Sequence, residues 1–435
     1  MTSFPVADLR REFPALAQAG DFLFFDNAAG AQIPASVLAA VTDHLVSRNV
    51  QRGGPYARSQ EVDAMIGRTR EAVAAFVNAR SPSEIAFGLN ATSFIRSISL
   101  AVGQTLDSRP EIVVSDLDHE ANIATWVALE RFGARIVWWT VRDDGRLHLA
   151  DLEPLVSKRT RLVACTMASN ATGTRVDVAG AARVAHTAGA EIFLDAVHFG
   201  PHGPIDVQAI DCDFLVCSGY KIFAPHMGFA WCRADAINRL PTFREDFIPD
   251  VTPDKLEAGT YVYENVAGME AVVQYLERLG QRMGAADGSP RAMRIRTAMG
   301  AIAAYERTLS ATLLDAVSSI DGASVYGVTD RSHLDDRVPT VSFSVHGVPS
   351  SSIAAELAKQ GIGARSGHMY APRLIQRLNL MPGGVVRVSL VHYNTVGEVA
   401  RFRETLSRIV ATLLDRSSLR IEDCGMRIDR RFNQH

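Results

Sequence analysis

Residues 217–228 read Cys217-Ser218-Gly219-Tyr220-Lys221-Ile222-Phe223-Ala224-Pro225-His226-Met227-Gly228. Apolar runs at 214–217 and 229–232 flank the stretch, and each has the composition of a buried strand. Between them the chain must turn tightly, with Ser, Gly, Tyr and Pro around a single lysine. Lysine is scarce: it occurs only at Lys158, Lys221, Lys255 and Lys359, and arginine supplies nearly all the positive charge. Lys158 and Lys255 lie in polar surroundings, and Lys359 lies in an amphipathic helical pattern. Only Lys221 sits between strand-like runs. A lysine so placed loses solvent, its pKa falls, and the neutral amine becomes a nucleophile for aldehydes. The competing reading is a side chain that snorkels from a strand end to water.

Working outward, strand-like runs at 84–88, 111–114, 135–141, 161–167 and 191–194 alternate with helical segments. Those segments start near Asn90 and Asn122 and cover 149–156 and 178–188. This alternation predicts an α/β fold with a mostly parallel sheet and helices on both faces. In such sheets ligands bind beyond the carboxyl ends of the strands. Thr92, His119, Asn170, Asp195, His198, Ser218 and Lys221 all fall there, which favours the nucleophile reading of Lys221.

A short helical arm is expected over 1–20, a strand at 22–25 and an amphipathic helix over 59–79. Helices follow over 262–283 and from the loop 284–290 to about 318, then an α+β segment with strands at 340–345 and 385–390. The expected organisation is an arm at 1–20, a large domain at 21–285, a smaller C-terminal domain at 286–415 and a polar, arginine-rich tail at 416–435.

At 435 residues and 47% apolar, the chain can build a large core and more than one domain. A net charge of −3 gives no nucleic-acid footprint. No apolar run is long enough for a bilayer, and charges stand where a signal peptide needs apolar residues, so a cytoplasmic protein is expected. The five cysteines, Cys165, Cys212, Cys217, Cys232 and Cys424, are an odd, sparse set without a C-x-x-C pair. They fit neither a disulfide framework nor a structural zinc site.

A lysine, an aspartate at a strand end and a helix start with Thr or Ser together point to pyridoxal phosphate. The aldehyde needs an amine, and the pyridine nitrogen needs a facing carboxylate to stay protonated. Asp195, ending an apolar strand, is the candidate carboxylate; its alternative is a turn cap. Ala91, Thr92 and Ser218 suit the phosphate at a helix start. His119 could stack on the ring; the alternative is a helix-start or core histidine.

The chain resembles the class V aminotransferase family, in its cysteine desulfurase-like branch of fold type I pyridoxal phosphate enzymes with the aspartate aminotransferase fold. The resemblance rests on residues 26–30 (DNAAG), 52–54 (RGG), 118–122 (DHEAN), 169–170 (SN), 195–198 (DAVH), 218–221 (SGYK), 257–260 (EAGT), 365–368 (RSGH) and 387–389 (RVS), in family order. It implies that Lys221 carries the cofactor, His119 stacks on the ring and Asp195 pairs with its nitrogen. Asn170 and His198 would lie near the ring hydroxyl. Thr92, Ser218 and, across a homodimer with shared sites, Thr260 would hold the phosphate. Arg387 would clamp the carboxylate of an amino-acid substrate, with Arg365, Arg52, Asn27 and Ala28 bordering that pocket.

The departures from the family pattern set the reaction. Cysteine desulfurases accept sulfur on a mobile cysteine, and here Tyr370 stands at that position. His198 replaces a common Gln, and Tyr220 a common His. The sequence therefore favours a pyridoxal phosphate enzyme that acts on an α-amino acid through an external aldimine by a lyase-type reaction at Cα or Cβ, without a persulfide. The alternatives are an aminotransferase or an amino-acid epimerase. A metal hydrolase using His198, His202 and His119 or His226 is a distant rival, because Gly200 and Pro201 disfavour a helix there. A non-catalytic regulator would need a DNA-binding segment, and the sequence has no recognisable one.

Overall fold

The computed structural model describes residues 3–432. Its first strand, β1 (Leu23–Phe24), is only two residues long. Seven strands then form the central sheet: β2 (Ile85–Gly88), β3 (Glu111–Ser115), β4 (Arg135–Trp139), β5 (Thr160–Thr166), β6 (Glu191–Asp195), β7 (Phe214–Ser218) and β8 (Gly228–Cys232). Their order is β2-β8-β7-β6-β5-β3-β4. Only β8 runs against the others, pairing antiparallel with β7 and β2. The sheet is mostly parallel, as the alternation predicts. Strands β3, β5, β7 and β8 are buried along their whole length. Burial on both faces is why they read as continuous apolar runs and not as alternating ones.

The carboxyl ends of β5, β6 and β7 are aligned by register. Thr166 pairs with Asp195, and Asp195 with Val216. Helix Ala91–Gly103 follows β2; the Asn90 side chain accepts from Ser93 N at 2.9 Å, which fixes where the helix begins.

The second sheet contains β9 (Ala323–Tyr326), β10 (Thr340–Val345) and, beyond the short β11 (Ile362–Gly363), β12 (Arg365–Gly367) and β13 (Val385–Ser389). Its order is β12-β13-β10-β9, all antiparallel. β1 pairs with β11, and Leu23 and Phe25 join the core of this second sheet. Helix Arg291–Ser318 spans both cores: Ile295, Met299 and Ile302 pack with the large sheet, and Leu309, Leu313 and Val317 with the small one.

The N-terminal arm folds as two short helices, Val6–Arg10 and Pro14–Gln18, and Phe13 between them is fully buried against Phe223, Tyr275 and Tyr393. The last helix runs Val396–Phe432, so the backbone at 416–432 continues a helix. No proline after Val396 stops it. Residues 433–435 of the expected tail lie outside the described residues. No helix among the described residues is long and apolar enough to cross a membrane.

Candidate active site

A pocket of about 430 Å³ opens at the carboxyl ends of the parallel strands. It gathers Ala91, Thr92, His119, Asn170, Asp195, His198, Ser218 and Lys221. Every cofactor-binding candidate from the sequence is there except Thr260.

Lys221 is placed by the turn that leaves β7. Gly219 N donates to Met227 O at 2.7 Å, and a Cβ on Gly219 would meet Pro225 O at 2.7 Å, so only glycine fits this turn. Two residues past the lysine, Phe223 adopts a left-handed backbone (φ +68°), held by its ring packing against Phe13 and His392. Lys221 itself is buried. Burial first, and then the Arg387 cation, lower its pKa to about 8, against the opposing pull of Asp195.

Asp195 is buried at the end of β6 and accepts from Val197 N at 2.8 Å. Burial raises its pKa, while that N–H and Lys221 pull the other way. His119 accepts from Ala121 N at Nδ1 (3.0 Å), so its Nε2 carries the proton in the neutral ring. Burial, then Lys221 and Arg387, hold its pKa down to about 4. Its sequence neighbour Asp118 is fully buried and accepts from Ser115 Oγ and from Asn122 Nδ2 (2.7 Å). Burial raises Asp118 to about 7. The sequence reading gave Asp118 no role, because its partners are local and polar and resemble a helix cap.

Asn170 donates to Met369 O at 2.6 Å, while its Oδ1 is buried without a partner. His198 Nε2 lies 3.1 Å from Thr340 Oγ1. At the start of helix Ala91–Gly103, Ala91 N donates to Ser218 Oγ at 3.1 Å. Gly228 lets β8 come this close: a Cβ there would meet Asn90 C at 2.5 Å and Ala91 N at 3.0 Å.

Arg387, the candidate carboxylate clamp, is buried and donates to Asn170 O (2.9 Å) and to Asp26 Oδ1 (2.7 Å), with Nε sealed and unpartnered. Arg365 holds the other oxygen of Asp26 at 2.9–3.0 Å. Asp26 thus bridges both arginines, a role sequence reasoning missed although the residue lies in a quoted motif. Tyr370 is exposed, its ring centroid 5.8 Å from that of His119. Met369 and Tyr370 are both left-handed (φ +53° and +56°), and Glu120 N donates to Tyr370 O at 2.8 Å.

Arg387, Arg365 and Tyr370 do not line the pocket itself, and neither do the remaining candidates. The Asn27 amide donates to Phe24 O and Ser389 O and accepts from Tyr393, and Ala28 N donates to Ser389 Oγ. These contacts anchor the segment to β13. Arg52 pairs with Asp63, and Thr260 is exposed and accepts from Gln51. His198 and His202 sit in turn backbone, and among the described residues no group of three His, Cys, Asp or Glu is arranged for a metal ion.

Residues 23–402 match the model of the class-V aminotransferases. The chain belongs to the class V aminotransferase family. It is 34% identical over 420 residues to an aminotransferase-like protein of Gibberella zeae, covering 94% of this chain and 99% of that one. It is 31% identical over 428 residues to a probable cysteine desulfurase of Synechocystis sp., covering 94% and 96%. The apo structure of the cysteine desulfurase from Thermococcus onnurineus superposes with a TM-score of 0.84 at 25% identity, covering 95% of this chain and all of the other. Class V aminotransferases are pyridoxal phosphate-dependent enzymes, and this one has their fold. The pocket fits that cofactor on its own terms: a buried lysine of lowered pKa, an unpartnered Asn170 Oδ1, and a helix start kept open by Gly228.

Proposed function

We propose that this class V aminotransferase homologue is a lyase acting at Cα or Cβ of an α-amino acid, and that it forms no protein persulfide. The observation that carries the second half is the state of its thiols. Cys165, Cys212, Cys217 and Cys232 are all buried, and burial raises each of their pKa values, that of Cys217 to about 12. A sulfur acceptor must be an accessible thiolate. The pocket mouth instead offers the phenol of Tyr370. Cys424 lies among residues whose side chains are not described.

Pyridoxal phosphate, when bound, supplies an electrophilic carbonyl and an electron sink. Ala91, Thr92 and Ser218 would hold its phosphate at the helix start, together with Thr260 of the partner subunit in a homodimer. Thr260's exposed position, outside its own pocket, supports that sharing. Asp195 would pair with the ring nitrogen, Asn170 Oδ1 and His198 would hold the ring hydroxyl, and neutral His119 would cover the ring. Arg387, steadied by Asp26, orients the substrate carboxylate, with Arg365 beside it. Lys221 is an amine that exchanges protons near pH 8, suited to take and return the proton at Cα.

The test is product analysis with a panel of amino acids that includes cysteine, cysteine sulfinate, aspartate and alanine. A lyase releases its fragments without any keto-acid acceptor and leaves no label on the protein from ³⁵S-cysteine. Absolute dependence on a keto acid would make the enzyme a transaminase. Protein-bound ³⁵S, released by thiols, would overturn the persulfide-free reading.

A further inference from the structure

Beside the cofactor pocket lies a second cavity of about 1060 Å³, between the turn at 199–204, helix Arg291–Ser318 and residues 334–339. Arg307 and Asp335 line it with side chains 50% and 71% exposed, so it reaches bulk water. Two buried titratable groups that the mechanism leaves unused also line it, His202 and Glu306. His202 Nδ1 lies 2.7 Å from Glu306 Oε2, and Oε1 is sealed without a partner. On its other side His202 packs edge-on against His198, with centroids 5.4 Å apart and planes at 71°. His198 in turn lines the cofactor pocket. A single imidazole thus separates the pocket histidine from a carboxylate that borders an open cavity.

A buried carboxylate is costly without a compensating charge or a proton. His202 is the only cation-capable side chain hydrogen-bonded to Glu306 among the described residues. The pair therefore holds a proton between them, on the imidazole or on the carboxyl. Burial raises the pKa of Glu306, and His202 opposes this. The position of that proton decides whether His198 faces a charge from His202. From the pocket side His198 faces Lys221 and Arg387. Behind the pair lies His392, bonded to Tyr275 Oη at 2.7 Å, and the cavity wall adds Arg175 and Arg337. Burial, then His202, Lys221 and Arg387, keep His198 neutral.

We propose that His202 and Glu306 are positioning residues that hold a proton behind the active site, exchange it with water through the second cavity, and so set the charge that neutral His198 meets on the side away from the cofactor pocket. The exchange is a plain proton transfer: the pair takes one proton from water or gives one up to it, that proton moves between Glu306 Oε2 and His202 Nδ1, and nothing is oxidised or reduced. The consequence for catalysis rests on the cofactor reading above. The proton linkage itself does not.

The test reads individual histidines by deuterium exchange at C2–H, followed by mass spectrometry across pH, in apo protein and again after loading with pyridoxal phosphate. Glu306→Gln removes the countercharge of the imidazole beside it, so the midpoint of His198 should rise by roughly half a unit, because its charged neighbour is gone. Glu306→Asp should keep the wild-type midpoint. If Glu306→Gln does not fold, His202→Gln tests the same sign at His198. A His198 midpoint that stays put in a variant with wild-type melting overturns the proposal. In loaded protein, the visible band's pH midpoint should shift in Glu306→Gln and not when His198→Gln is already present; an equal shift in both backgrounds also overturns it. Failure of the wild-type protein to take up the cofactor would count against the proposed function alone, since the apo measurement still decides the linkage.

Discussion

Lys221 is destabilising as a cation. Its pKa of about 8 lies below the ordinary 10.5, so the folded protein binds fewer protons than the unfolded chain between these values. Stability therefore rises with pH across that window, and the full penalty, on the order of 3 kcal/mol, applies below it. Lys221→Met apoprotein should melt higher than wild type at pH 7, and calorimetry should find the difference gone by about pH 10.5. The same substitution should abolish the visible band that added pyridoxal phosphate acquires with the wild-type protein. Arg387→Ala should weaken amino-acid binding about 10- to 100-fold, the worth of a lost charge-assisted pair, with a much smaller effect on cofactor affinity. Spectral titration measures both, and equal losses would remove Arg387 from its role as the carboxylate clamp. Lys221, Asp195 and Ser218 were legible because each ends or follows an apolar run whose length places it at one sheet edge. Asp26 was not, because its partners Arg365 and Arg387 lie 339 and 361 residues away.

Among the elements, the close approach of β8 to the start of helix Ala91–Gly103 constrains the proposed phosphate cradle. Gly228→Ala would push a methyl into the Asn90–Ala91 backbone. We expect cofactor affinity to fall at least tenfold by fluorescence quenching, while far-UV circular dichroism stays that of the wild type, because the clash is at the helix start and not within the sheet. Unchanged affinity would mean that this backbone does not hold the phosphate. The long helices were readable from periodicity: 262–283 was expected and Tyr263–Arg282 is observed. The short strands β9, β11 and β12 were not, since two to four partly exposed residues carry no pattern of their own. β1 is a strand only because β11 pairs with it.

For the whole molecule, the shared-site reading makes a separable prediction. Lys221→Ala and Thr260→Ala homodimers should each be impaired, and mixing them under subunit exchange should restore activity, because each mixed dimer holds one intact site. Sedimentation would confirm the dimer. A mixture no more active than its components would place Thr260 outside the site. The sequence conveyed the two-sheet plan because helix Arg291–Ser318 begins beyond the loop at 284–290, yet its apolar residues serve both cores, which no local pattern can show.

Asp26 places a carboxylate on Arg387 before any substrate arrives. In the proposed clamp role of Arg387, an entering amino acid would meet an incumbent of its own kind, tethered and present at high effective concentration. Binding would then exchange one carboxylate for another at the same guanidinium. A bare carboxylate gains little from that exchange, so small organic acids should be poor competitors. Selection then falls on what else the visitor carries, namely its amino group and its side chain.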